Sequence, residues 1–419
     1  MPAARIPSHP KHIRLTALYF MNQDPSRSRS SLSRATLSVH GGRRPTPGDP
    51  DVAPPLRRTT TFLQHPGTHA ATDAGDWDSP LVYTRYKNPN VEDAERHLAA
   101  IEGAEGAVLF ASGMAAIHGV FRAVFPSGRG KIAVANQIYG GTVALLGGLL
   151  QQLGLETILF DVTSEESLAE ALAQSPGLVH VEGISNPVAI VADLERIASQ
   201  AHGAGALLSV DSTFCTPVCQ RPLRFGADYV IHSATKALSG HSDVTAGVVL
   251  GSQDRLAPIA HARKVAGAIL DPAAAWLLSR SLATLDLRVR AQCRGALALA
   301  QALEGAAGVT RVHYPGLVNH PSHDLSHRML EQGLFGSVLA FELEAGDSAT
   351  RAYVSRLCLA IDAPSLGGVE TLVCIPAVMS HVGLTPEERV GAGIEPGCIR
   401  VATGIEDPED LVNDFLGAL

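Results

Sequence analysis

The sequence predicts an α/β protein: a large, mostly parallel sheet covered by helices, a smaller α/β C-terminal domain, and an extended N-terminal arm. Short apolar runs alternate with helix-like segments between about Pro89 and Arg288, as they do when buried strands are joined by crossover helices. The pattern changes after Gly308. The chain is also long: 419 residues exceed one ordinary core, so two domains are expected. The boundaries read as an extension over 1–35, an arm over 36–88, a large domain over 89–288 and a small domain over 289–419.

Residues 1–35 are rich in Ser, Arg and Pro, and Asp24 is their only acid. A targeting peptide fits this composition, but no clear apolar signal core is present. A disordered extension, or translation starting at Met21, is the preferred reading. From about Thr36 prolines and glycines predict an extended arm, of the kind that reaches a neighbouring subunit. Helical spacing follows over 92–102 and 112–124. Short apolar strands are expected at 107–109, 131–135, 156–160, 178–181, 206–210, 229–232 and 246–250. A long helical stretch covers 273–304. Strands at 310–313 and 337–343 and a closing helix near 408–419 complete the small domain.

Composition excludes some classes. Net charge is −8, without the basic stripe of a nucleic-acid binder. The apolar run at 140–150 is broken by glycines and too short to span a membrane. Six scattered cysteines lack the close pairing with His of a zinc site, so no metal is expected. Reduced, mostly buried thiols in a cytoplasmic setting are the default.

One constellation carries chemistry. HSATKALSGHSDVTAG (232–247) follows an apolar run, and Ser233 and Thr235 put hydroxyls just before Lys236. Hydroxyls there can hold a phosphate while the lysine reaches an aldehyde carbon. Burial favours the neutral, nucleophilic amine. Upstream, LLSVDSTFCTP sets Asp211 at the end of another apolar strand. An acid and a lysine on two strand ends make a crevice at the carboxyl edge of the sheet. A carboxylate there can keep a pyridinium nitrogen protonated, so that the ring accepts electrons. FASGMAAIHG (110–119) places Ser112, Gly113 and Met114 at a helix start, where backbone N–H groups bind phosphate. Taken singly, a surface lysine, a turn-capping aspartate and a plain helix cap are the ordinary alternatives.

Together with YTRYKNP, IYGGT, SNP, SLGGVETLVCIPAVMSH and IRVATGIEDPEDLVNDF, these motifs resemble the Cys/Met metabolism PLP-dependent family. The likeness runs from about Ser38 to the C terminus. It implies PLP fold-type I, pyridoxal 5'-phosphate as cofactor, and a homotetramer built as a dimer of dimers with shared active sites. By motif position, Lys236 matches the Schiff-base lysine and Asp211 the partner of the pyridine nitrogen. Ser233 and Thr235, with the amides of Gly113 and Met114, match the phosphate cup. Tyr83 and Arg85 match the pair that reaches the phosphate of the neighbouring subunit. Tyr139 matches the tyrosine stacked on the cofactor and is a candidate acid or base at the leaving group. Asn186 matches the amide near the phenolic oxygen, Arg400 the clamp on the substrate α-carboxylate, and Ser365 a neighbour of that carboxylate. His232, His241 and His381 are read as structural, His381 near the pocket entrance.

Departures bear on substrate. Several cystathionine-handling relatives carry an arginine where this chain has Ala144, and many carry Glu where it has Pro364. Methionine γ-lyases typically have Cys at the position of Gly141. Loss of both charged groups disfavours a zwitterionic far end such as that of cystathionine, and Gly141 departs from the methionine γ-lyase pattern. Within the family, the resemblance implies a carbon–sulfur γ-lyase acting on a methionine-, homocysteine- or cystathionine-like amino acid. The alternatives are a γ-replacement enzyme (cystathionine γ-synthase or O-acylhomoserine sulfhydrylase) and a catalytically silent PLP-binding homologue.

Overall fold

The larger sheet is built from β1 (Gly106–Phe110), β2 (Gly130–Ala135), β3 (Leu155–Phe160), β4 (Leu178–Glu182), β5 (Leu207–Asp211), β6 (Tyr229–His232) and β7 (Gly247–Gly251). They lie in the order β1-β7-β6-β5-β4-β2-β3, with only β7 reversed. This computed structural model describes residues 32–42, 51–77, 79–379, 385–391 and 393–419. Most of the 1–35 extension and His381 therefore lie outside the described residues.

Each expected strand of the large sheet forms, within a residue or two of its expected ends. The reason is burial: β4, β6 and β7 are buried at every position, so these covered strands read as largely apolar runs without alternation, broken only at His180, Glu182 and His232. Edge strand β3 instead mixes buried Leu155, Ile158 and Phe160 with exposed Glu156, Thr157 and Leu159. Helix Gly113–Val124 turns Ala116, Ile117, Val120 and Phe121 into the core, each large apolar side chain contributing about 1.5–3 kcal/mol on burial. Ser112 caps it by accepting from the Ala115 amide at 3.2 Å.

The second sheet holds β8 (Val309–His313), β9 (Val338–Leu343), β10 (Ile361–Asp362), β11 (Leu372–Cys374) and β12 (Cys398–Ala402), ordered β10-β11-β12-β9-β8. Helix Pro408–Gly417 closes the chain. Two expectations change. The single helix over 273–304 is two, Pro272–Leu282 and Leu285–Leu303. Arg288 holds the break by donating to the Ser281 carbonyl at 2.9 Å and the Thr284 hydroxyl at 3.2 Å. The stretch over 36–88 is not wholly extended either, because helices Arg34–His40 and Pro66–Asp73 interrupt it. Leu37 and Ser38 are buried in the first of these, and Arg34 pairs with Glu331.

All six cysteines are free thiols; five are buried and Cys358 is exposed. Among the described residues no helix is long and apolar enough to cross a membrane.

Candidate active site

The carboxyl ends of the parallel strands open onto a cavity of about 550 Å³. Asp211 ends β5, Glu182 ends β4, and Lys236 lies four residues past β6. Gly113, Met114, Tyr139, Asn186, Asp211, Ser233, Thr235, Lys236 and Arg400 all line this one space.

Each group is held by its neighbours. The Lys236 amine donates to the Ser365 hydroxyl at 2.9 Å. Burial, and then the nearby Arg400 charge, lower the affinity of that amine for a proton. Asp211 Oδ1 accepts from both the Thr213 hydroxyl, at 2.5 Å, and the Thr213 amide, at 3.0 Å. Burial pushes the Asp211 carboxyl up, and these two bonds with the neighbouring His232 pull it part of the way back. The Thr213 hydroxyl also accepts from the Ser233 amide at 2.8 Å, so one threonine joins the acid to the hydroxyl cup. No sequence motif singled it out, although VDSTF contains it.

Arg400 lies on β12, almost wholly buried. Its guanidinium donates to the Ser365 carbonyl at 2.9 Å and to Asn186 Oδ1 at 3.3 Å. Nε has no partner among the described residues. Ser365 itself is not part of the lining, yet it touches both Lys236 and Arg400.

Three expected residues are placed differently from the rest. The Thr235 hydroxyl donates to the Ala246 carbonyl at 3.1 Å and accepts from the Ala246 amide at 3.0 Å, so its proton is already engaged. Tyr83 and Arg85 lie outside the cavity. Arg85 donates to the Lys264 carbonyl at 2.9 Å and stands 4.8 Å from the Tyr86 ring centroid. Of the histidines, His232 Nε2 contacts Glu102 Oε2 at 3.0 Å in the core, and His241 Nδ1 lies 2.7 Å from the Ser239 carbonyl.

Glycines set the close approaches. A Cβ on Gly113 would meet Ser233 Cβ at 2.9 Å and Oγ at 3.0 Å, and one on Gly247 would meet the Ser112 carbonyl oxygen at 2.1 Å. The helix start is thus pressed against the hydroxyl cup. A Cβ on Gly141 would fall 2.4 Å from Tyr139 Cε1, so glycine lets that ring lie against its own helix.

The chain matches the family described as Cys/Met metabolism PLP-dependent enzyme over residues 35–419. The chain belongs to this family. The O-succinylhomoserine sulfhydrylase of Pseudomonas aeruginosa is 37% identical over 399 residues, 94% of this chain and 98% of that protein. The L-methionine gamma-lyase of Pseudomonas putida is 37% identical over 388 residues, 92% and 96% of the two chains. A crystal structure of cystathionine gamma synthase from Xanthomonas oryzae pv. oryzae in complex with cystathionine superposes with TM-score 0.87, at 38% identity, covering 92% of this chain and 97% of that one. The protein is therefore a PLP-dependent enzyme of sulfur amino-acid metabolism with the fold-type I architecture.

The cavity fits that cofactor. It offers an amine for the aldehyde, a carboxylate for the ring nitrogen, and a helix start facing a hydroxyl for the phosphate. Gly113→Ala would wedge this cup open, an overpacking cost of about 1–3 kcal/mol. PLP affinity, titrated by quenching of protein fluorescence, is expected to fall about tenfold or more; unchanged affinity would show that the cup does not bind the phosphate.

Proposed function

We propose that the protein is a PLP-dependent carbon–sulfur lyase that carries out α,γ-elimination on a methionine-, homocysteine- or cystathionine-like amino acid, which with one water gives a 2-oxo acid, ammonia and a thiol. The observation that carries this reading is the uncharged remainder of the cavity wall. Once Lys236, Asp211, Glu182 and Arg400 are set aside, the rest of the lining among the described residues is uncharged, and Ile117, Ile184, Phe214, Pro364, Leu366 and Met379 form its apolar part. Such a surface suits a thioether and leaves a distal charge unpaired. Pro364 lines the cavity, whereas Ala144 is exposed and outside it. Pro364 is therefore the departure that shapes the pocket.

Residue roles follow. Bound PLP supplies an electron sink for charge developing at the substrate α-carbon. Arg400 clamps the α-carboxylate, with Ser365 and Asn186 beside it, and so fixes which bond faces Lys236. Lys236 Nζ removes the α-proton and then moves a β-proton. Asp211 holds the proton on the cofactor nitrogen. The Tyr139 hydroxyl gives a proton to the departing sulfur. Ser233, Thr235, Gly113 and Met114 hold the phosphate. Tyr83 and Arg85, which lie outside their own cavity, serve the phosphate of a neighbouring subunit in a dimer of dimers. Residues 89–288 form the cofactor domain, 289–419 the small domain and 36–88 the arm, in a cytoplasmic homotetramer.

The second reading is γ-replacement, favoured by the similarity to an O-succinylhomoserine sulfhydrylase and a cystathionine gamma synthase. Release of 2-oxobutyrate by PLP-loaded protein separates the two. L-Methionine, L-cystathionine and O-acetyl-L-homoserine are compared, each with and without added thiol. Release from methionine or cystathionine alone is expected. Release from the O-acyl substrate only, suppressed by thiol as a thioether accumulates, would replace the lyase with a γ-replacement enzyme.

A further inference from the structure

Two acids line the cavity, and the chemistry above uses only Asp211. The other, Glu182, stands directly opposite Asp211 in the β4–β5 register. It is buried, and its Oε1 accepts from the Tyr139 amide at 2.6 Å, across 43 positions of sequence. Its Oε2 is buried without a hydrogen-bond partner among the described residues. An ionised carboxylate is poorly served by such a setting. Burial first, and then the Asp211 charge, push the Glu182 carboxyl well above the usual carboxylate range, and the Tyr139 and Asn186 amides oppose this only in part. A neutral acid fits: one oxygen accepts from the amide and the other carries the proton.

Tyr139 needs such a tether. It precedes the six-residue helix Gly140–Leu145, its side chain makes no cap bond there, and it is 45% exposed. Its carbonyl is committed to the helix, accepting from the Thr142 amide at 2.9 Å. The bond to Glu182 runs the other way, from the helix start to the sheet.

We propose that Glu182 is a positioning residue: its carboxyl ties the Tyr139 backbone to the end of β4, beside Asp211, and so fixes where the Tyr139 ring stands over the cavity. The proposal rests on the assignment of Tyr139 to the leaving group. Glutamine keeps a neutral acceptor at the same place, whereas alanine removes it. E182Q should therefore keep kcat within about threefold, and E182A should lose about 10- to 100-fold in kcat, the scale on which small misplacements of a reacting group act. The circular dichroism of the bound cofactor in the visible range should change in E182A and not in E182Q, with thermal unfolding followed for both. In a Y139F background E182A should cost much less than in wild type, because residues acting through one group are non-additive.

Three results would overturn the proposal: wild-type kcat and cofactor dichroism in E182A, E182Q as impaired as E182A, or costs that simply add with Y139F. Failure of the underlying reading looks different. Y139F itself would then turn over normally, whatever Glu182 does.

Discussion

Lys236→Ala is expected to lower turnover by at least about 10⁴-fold, the largest effect of any single change in this chain. Proton transfer by one positioned side chain is worth about 10²–10⁴-fold, and Lys236 is proposed to make two such transfers as well as the covalent attachment of the cofactor. Its surroundings suit all three tasks. The amine is tied to Ser365 Oγ at 2.9 Å, and burial with Arg400 keeps its proton affinity low. Lys236→Arg should be as inactive, because a guanidinium does not lose its proton. The measurement is steady-state 2-oxo acid release, together with borohydride trapping of the cofactor. Trapping should label Lys236 in wild type and nothing in either variant. Addition of a small primary amine should restore part of the K236A rate, since a diffusible base can replace the missing one. A K236A protein within about tenfold of wild type would remove the lysine from the mechanism. If biological activity also survived, the silent-homologue reading would take its place.

The strands that carry this chemistry were readable because both faces of the sheet are covered. Runs such as 178–181 and 229–232 are apolar except at His180 and His232, show no alternation, and are buried throughout. Strands β10, β11 and β12 were not named. Two of them span only two or three residues, too few to show a period, and β12 is interrupted by Arg400 in an otherwise apolar run. The split of the long helix was invisible because Ala283 and Thr284 carry no breaker signal; a buried arginine 288, distant in neither sequence nor space, enforces it.

The site was legible where one motif carried one role, and nine of the residues chosen from sequence converge on one cavity. Thr213 and Glu182 were missed for a physical reason. Neither precedes a nucleophile nor starts a helix, and each acts by holding a neighbour: Thr213 the Asp211 carboxyl and the Ser233 amide, Glu182 the Tyr139 amide. The long-range bonds, Tyr139 to Glu182 and Ser233 to Thr213, appear only once β2 is laid beside β4 and β5 beside β6. Thr235 lines the cavity as expected, but its pairing with Ala246, eleven residues on in the same 232–247 stretch, is a fold contact that the motif does not spell out.

Asp211→Asn is expected to cost about 10²–10³-fold in kcat, the scale found when a preorganised electrostatic group is removed from an active site. The substitution is nearly isosteric, so the fold gives little away. Asn Oδ1 can still accept from the Thr213 amide, which lies 3.0 Å from the present Oδ1. What changes is the group facing the cofactor nitrogen. A carboxylate accepts a hydrogen bond and stabilises a protonated ring, while the Asn amide donates and favours the unprotonated ring. The electron sink is then weakened just when charge develops at the α-carbon. PLP affinity should fall far less than kcat, because the phosphate cup and Lys236 are untouched. An N-methylated PLP analogue, whose ring charge needs no proton, should restore much of the lost rate in D211N while doing little for wild type. A D211N enzyme with kcat within about threefold of wild type, or one that the analogue fails to improve, would mean that the carboxylate at the end of β5 does not govern the cofactor nitrogen.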